Sequence, residues 1–66
     1  MVRGRVEEFD EARGTGVVIA ADGHRYPFHC TAIADGTRTI PVGADASFRV
    51  VPGHSGRWEA ASITRI

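Results

Sequence analysis

The sequence predicts an all-β domain, five short antiparallel strands closed into a barrel, on three observations. No window of the 66 residues sustains the i, i+3, i+4 apolar spacing of an amphipathic helix. Short runs rich in Val, Ile, Phe, Tyr and Thr recur instead, each bounded by Gly, Asp or Pro. A chain of this length buries only about 60% of the surface that its unfolded form exposes, and closing a small sheet removes the free edges it would otherwise present. One domain over residues 1–66 is expected, with no repeat, linker or low-complexity tract.

The first strand is "VRGRVEEF", Val2 to Phe9. The second, "GVVIAA" from Gly16 to Ala21, and the third, "HRYPFH" from His24 to His29, flank Asp22 and Gly23. That pair is the two-residue hairpin signal, since a type I′ turn needs positive φ at both positions. The connection from Thr31 to Asp45 contains the turn-prone "ADG" and "IPVGAD" and is expected to cross the barrel mouth. The fourth strand is "ASFRVV", Ala46 to Val51, and a flexible hairpin loop "VPGHSG" leads into the fifth, "RWEAASITRI", Arg57 to Ile66.

Successive side chains of a strand alternate faces. Tyr26 and Phe28 therefore share one side of the third strand, while Arg25, Pro27 and His29 share the other. The inner set is expected to be Tyr26, Phe28, Phe48 and Phe9 with Val6, Val18, Ile33, Val50 and Ile63. Pro27 donates no ladder hydrogen bond and belongs at an edge or with its nitrogen toward solvent. Trp58 lies opposite Ala61 and Ile63 if those face inward, at the rim near the Gly-rich loop. A plug for the barrel's open end and a contact residue are both open to it.

Eight Arg and no Lys balance eight acidic residues, for a net charge of +0. No overall basic field steers the chain onto phosphate, so any attraction for polyanions must come from a local patch. Glu7, Glu8, Asp10 and Glu11 crowd the first dozen residues, and that end should repel polyanions. The single Cys30 forbids an internal disulfide. No apolar run of membrane-spanning length and no apolar N-terminal segment suggests insertion or secretion, so a reducing cytoplasm is the expected location.

No metal or other cofactor is implied. His29 and Cys30 are neighbours that an extended chain points apart, and no zinc-type spacing joins them to His24 or His54, which sit beside turn glycines as solvated loop residues. "GTG" in "RGTGVV" is too short to cradle phosphate and reads as thinned backbone in a hairpin. No acid and base have a spacing that implies catalysis, and the chain is not read as an enzyme.

Three separated blocks resemble one family. "GRVEEFDEARGTGVV" is similar to the G-x-V-K-W-F-N-x-x-K-G-F-G-F-I of bacterial cold-shock domains, "FHCTAI" to their V-H-F-S-A-I, and "RTIPVGADASFRV" to their K-T-L-x-x-G-x-x-V-x-F-x-V. The resemblance runs from Gly4 to Ile63. It implies a cold-shock-like OB-fold barrel, and a function in binding single-stranded RNA or DNA on a platform of aromatic side chains from the first three strands and the following loop.

Aligned with that pattern, most of the platform is missing. Glu8 stands at the Trp, Thr15 and Val17 at two Phe of the second strand, Pro27 and Cys30 at two Phe near the third, and Thr37 at the loop Phe. Only His29 keeps its ring. Arg5, Arg13 and Arg38 match basic positions that can contact phosphates or stack on bases, whereas Glu7 stands at a usual Lys and Asp10 at a usual Asn.

Two functions follow. The resemblance implies a single-stranded nucleic-acid-binding module, weak and low in sequence specificity, working through Arg5, Arg13, His29, Arg38 and Trp58. The alternative is a barrel that has lost nucleic-acid binding and uses its altered face, with Val17, Pro27, Cys30 and Trp58, for a protein partner or a homodimer. Fold alone does not decide between them.

Overall fold

The computed structural model describes residues 1–34, 36–53 and 56–66. Five strands follow in order: β1 Val2–Asp10, β2 Thr15–Ala20, β3 Arg25–His29, then, after a 3₁₀ turn over Cys30–Ala32, β4 Asp45–Pro52 and β5 Trp58–Arg65. Each strand end falls within one residue of its expected place. The 3₁₀ turn is a feature that the sequence pattern did not announce.

All neighbouring strands pair antiparallel, in the order β3-β2-β1-β4-β5. The two end strands pack against each other, so the sheet curls round. The expected full closure is not formed. Among the described residues no ladder joins β3 to β5, and a 3₁₀-side seam stands in for it, with Ile33 bridged in parallel to Ile63 and the Ala34 N–H donating to the Ile63 carbonyl at 2.8 Å. A strand of five residues with Pro27 at its centre offers a poor edge for a continuous ladder.

Two irregularities bend the sheet. β1 shifts register against β2 between Val6 and Glu8. β4 shifts against β5 between Ser47 and Arg49, close to Ser62, whose φ is 52°. Extra residues of this kind sharpen local twist. The second shift also resets the face pattern of β5: Ala60 and Ile63 are buried, and Ala61, expected to share the inner face with Ile63, is not.

The core contains Val6, Val18, Phe28, Ile33, Phe48 and Ile63 as expected, with Phe9, Tyr26 and Val50 half-buried against it. Phe9 stacks on Phe28 with ring centroids 5.9 Å apart, and Tyr26 tilts against Phe48 at the same separation. Ala20, Ala46, Ala60 and Ile40 complete it. Trp58 is 59% exposed and lies outside the core.

The β2–β3 turn differs from the expected type I′ pair. Gly23 has a φ of 91°, but Asp22 is not in the positive region. The Ala20 N–H reaches the His24 carbonyl at 2.8 Å and the Gly23 N–H reaches the Ala20 carbonyl at 2.9 Å. The loop is therefore three residues long, Ala21–Gly23, closed by a glycine in the left-handed region, the next commonest hairpin solution. Asp22 Oδ1 accepts the His24 N–H at 3.0 Å, an Asx arrangement. That bond, together with the nearby His24 ring, holds the Asp22 carboxyl below its ordinary pKa.

The long connection tucks Ile40 into the core, and Val6 and the Gly43–Ala44 pair exchange backbone bonds of 2.8 and 2.9 Å, which ties its end to β1. Thr39 Oγ1 donates to Glu11 Oε1 at 3.1 Å, placing the connection beside the β1–β2 turn. In the β4–β5 loop the Gly53 N–H donates to the Arg57 carbonyl at 2.6 Å. Asp35 and, with it, the His54 and Ser55 part of the expected flexible loop lie outside the described residues. Among the described residues no helix is long and apolar enough to cross a membrane.

Candidate nucleic-acid interface

The pairing registers set the outer face in rows. Arg5, Ile19 and Arg25 form one row across β1, β2 and β3; Glu8, Val17 and Pro27 form the next; Asp10, Thr15 and His29 form the third. Glu8, Thr15, Val17, Pro27 and His29, at positions that the family resemblance assigns to stacking, thus share one surface, whereas Cys30, half-buried in the 3₁₀ turn against Gly14, lies outside these rows. What has changed is their chemistry: a carboxylate, a valine and a proline occupy the middle row.

The second row, with Asp10 and Thr15 of the third, floors an open groove walled by Thr37, Thr39, Pro41 and Val42 from the long connection and by Arg65; His29, the third member of that row, lies outside the lining. Gly16, buried between the two rows, keeps this floor close to the core. A Cβ there would stand 2.6 Å from both the Glu8 carbonyl oxygen and the Phe28 ring.

The β1–β2 turn positions Arg13. Asp10 Oδ1 accepts the Ala12 and Arg13 N–H groups at 3.0 and 3.3 Å, and the Gly14 N–H donates to the Asp10 carbonyl at 2.8 Å. The Arg13 guanidinium lies 3.9 Å from Asp10 Oδ2 and is 82% exposed. Such a pair contributes about 0–1 kcal/mol, so Arg13 stays available to a ligand. The Cys30 N–H donates to the Gly14 carbonyl at 2.7 Å, which ties the end of β3, and with it exposed His29, to this turn just outside the groove lining.

Arg38 is exposed with φ 59°, between Thr37 and Thr39 of the groove wall. Arg5 is exposed two rows away on the same face. Among the described residues neither makes an ion pair. Arg25, by contrast, is held by Glu7, Nε to Oε1 at 2.8 Å. The groove also carries Glu8, Asp10 and Glu11, so its charge is mixed.

Trp58 does not join the platform. It lies in a separate depression with Arg57, beside His24, Arg25, Tyr26 and Pro27. Arg57 was not among the expected site residues, nor was Arg65. Their place depends on how the curl of the sheet carries the two ends of β5 past β3 and the groove, and no local spacing reports that. Among the described residues no three His, Cys, Asp or Glu side chains gather in a metal-like cluster.

A curled five-stranded antiparallel sheet of this order, with its groove on β1–β3, is a barrel of the OB type. No family model matches the chain. Cold shock protein CspB of Bacillus caldolyticus is 33% identical to it over 67 residues, across 100% of both chains. The chain belongs to the cold shock protein family. The solved structure of Drosophila Unr CSD456 matches the fold with a TM-score of 0.80 at 24% identity, over 98% of this chain and 26% of that one. The chain spans about a quarter of that longer protein.

Proposed function

We propose that the chain binds single-stranded RNA or DNA weakly and with little base preference, through phosphate contacts from Arg5, Arg13 and Arg38 and a ring contact from His29, with Trp58 as a further contact outside the groove. The observation that carries this reading is Arg13 lining the open groove, with His29 beside that lining, paired across β2 with Thr15 of the groove floor and tied to the Arg13 turn by the Cys30 to Gly14 backbone bond. Each base stacked on an aromatic contributes roughly 1–3 kcal/mol. The loss of even three stacked bases from this platform forgoes roughly 3–9 kcal/mol, and at about 1.4 kcal/mol per decade of affinity that moves binding well into the weak range. Phosphate contacts then dominate, and they read no sequence.

The test is fluorescence anisotropy of a dye-labelled single strand of about ten nucleotides, within the site sizes of OB folds, at low and high salt. Saturable binding that weakens with salt and is reduced by Arg13→Ala or His29→Ala is the expected result. Absence of binding at low salt overturns it. A second reading, protein association through the same face, is favoured by Val42, 62% exposed and lining the groove with Val17 and Pro27. Size that rises with protein concentration, measured by light scattering, would speak for its self-associating form.

A further inference from the structure

The depression around Trp58 differs from the groove in its charge. Three carboxylates line the groove, while none lines the depression, whose charged side chains are Arg25 and Arg57 with His24 beside them. Arg25 is neutralised by Glu7 and His24 lies against Asp22. Among the described residues Arg57 makes no ion pair, so it is the uncommitted cation there. Glu59, the nearest carboxylate in sequence, lies against Gly53 instead.

Trp58 is also the largest ring left outside. Phe28 and Phe48 are fully inside and Phe9 and Tyr26 pack on them, yet the indole remains 59% exposed. An exposed indole beside a free guanidinium offers a flat apolar surface and a phosphate donor side by side. Pro27 lines both the depression and the groove, so the two surfaces adjoin across the edge of β3.

We propose that this depression is a nucleobase-stacking subsite: an unpaired base packs on the Trp58 indole and Arg57 binds the adjoining phosphate. A strand held in the groove crosses Pro27 and passes round the outer edge of β3. The subsite replaces, off the old platform, part of the stacking surface that Glu8, Val17 and Pro27 no longer supply. It rests on the single-strand-binding reading above.

The experiment pairs two readouts on the full chain with an oligonucleotide of about ten nucleotides. Trp58 emission should change along the same saturation curve as the anisotropy of the labelled strand. Trp58→Ala should weaken binding roughly tenfold, the loss of one stacked base; Arg57→Ala should weaken it severalfold, and Trp58→Phe should keep most of the affinity. Thermal melts of these exposed-site variants should match the parent. If the strand binds with Arg13 dependence but Trp58 emission stays unchanged and the Trp58→Ala and Arg57→Ala variants bind like the parent, the subsite falls and the groove reading stands. If no strand binds at low salt, both fall. Trp58-dependent self-association in place of strand binding would make the surface a protein contact and overturn the subsite.

Discussion

Glu8 is exposed on β1 directly across from Val17, in the row that ends at Pro27. It stands where the resemblance sets a tryptophan, and it acts against a polyanion twice, by removing a ring and by adding a negative charge. Glu8→Trp should strengthen single-strand binding by about 1–3 kcal/mol, the contribution of one stacked base. Glu8→Gln removes only the charge and should recover less. The comparison of the two by anisotropy separates stacking from repulsion; equal gains would mean that charge alone limits the surface. Arg13 needs no such repair, because its contact to Asp10 at 3.9 Å is too loose and exposed to withhold it.

Among the elements, β5 shows how local backbone sets a face. Ser62, at φ 52°, absorbs the register shift that lets both Ala60 and Ile63 point inward. A β-branched residue in that region is strongly disfavoured, so Ser62→Val should lower unfolding stability by about 1–2 kcal/mol, whereas Ser62→Gly should be nearly neutral. Urea denaturation of both variants checks this, and an unchanged midpoint for Ser62→Val would show that the bulge relaxes elsewhere. The strands themselves were legible because Val, Ile and aromatic runs alternate between turn residues. The inward turn of Tyr26 and Phe28 was legible for the same reason. The bulge at Ser62 is not, since a serine carries no mark of positive φ, and it is what takes Ala61 off the inner face that simple alternation gives it. Alanine is compatible with either face, so strand alternation does not mark Ala20, Ala46 and Ala60 as core, and Ile40 enters the core from a loop, where alternation does not apply. The position of the β2–β3 turn is legible and its type is not: Asp-Gly fits both a two-residue loop and the last two positions of a three-residue one. Of the candidate site, the shared face of Glu8, Thr15, Val17, Pro27 and His29 followed from alternation and pairing, while the neighbourhood of Trp58 followed only from the curl of the whole sheet.

At the scale of the molecule, eight cations and eight anions cancel, so no long-range field draws in a polyanion. Attraction must come from where the charges are spent. Glu7 takes up Arg25 and Asp10 approaches Arg13, but among the described residues Arg5, Arg38 and Arg57 have no acidic partner. These stand at three separate places: the β1 end of the face, the exposed position between the groove-wall residues Thr37 and Thr39, and the Trp58 depression. A strand that follows all of them, together with Arg13, makes about four phosphate contacts. Counterion release on single strands gives a log–log salt slope of roughly 0.7 per phosphate. The parent should therefore show a slope near −3 by anisotropy titration at several salt concentrations, about 0.7 × 4, and Arg38→Ala or Arg57→Ala should each reduce its magnitude by about 0.7. A slope near zero in the parent would mean that the strand is held without its phosphates. A parent slope near −2 that Arg57→Ala leaves unchanged would confine the strand to the groove and remove the depression from its path.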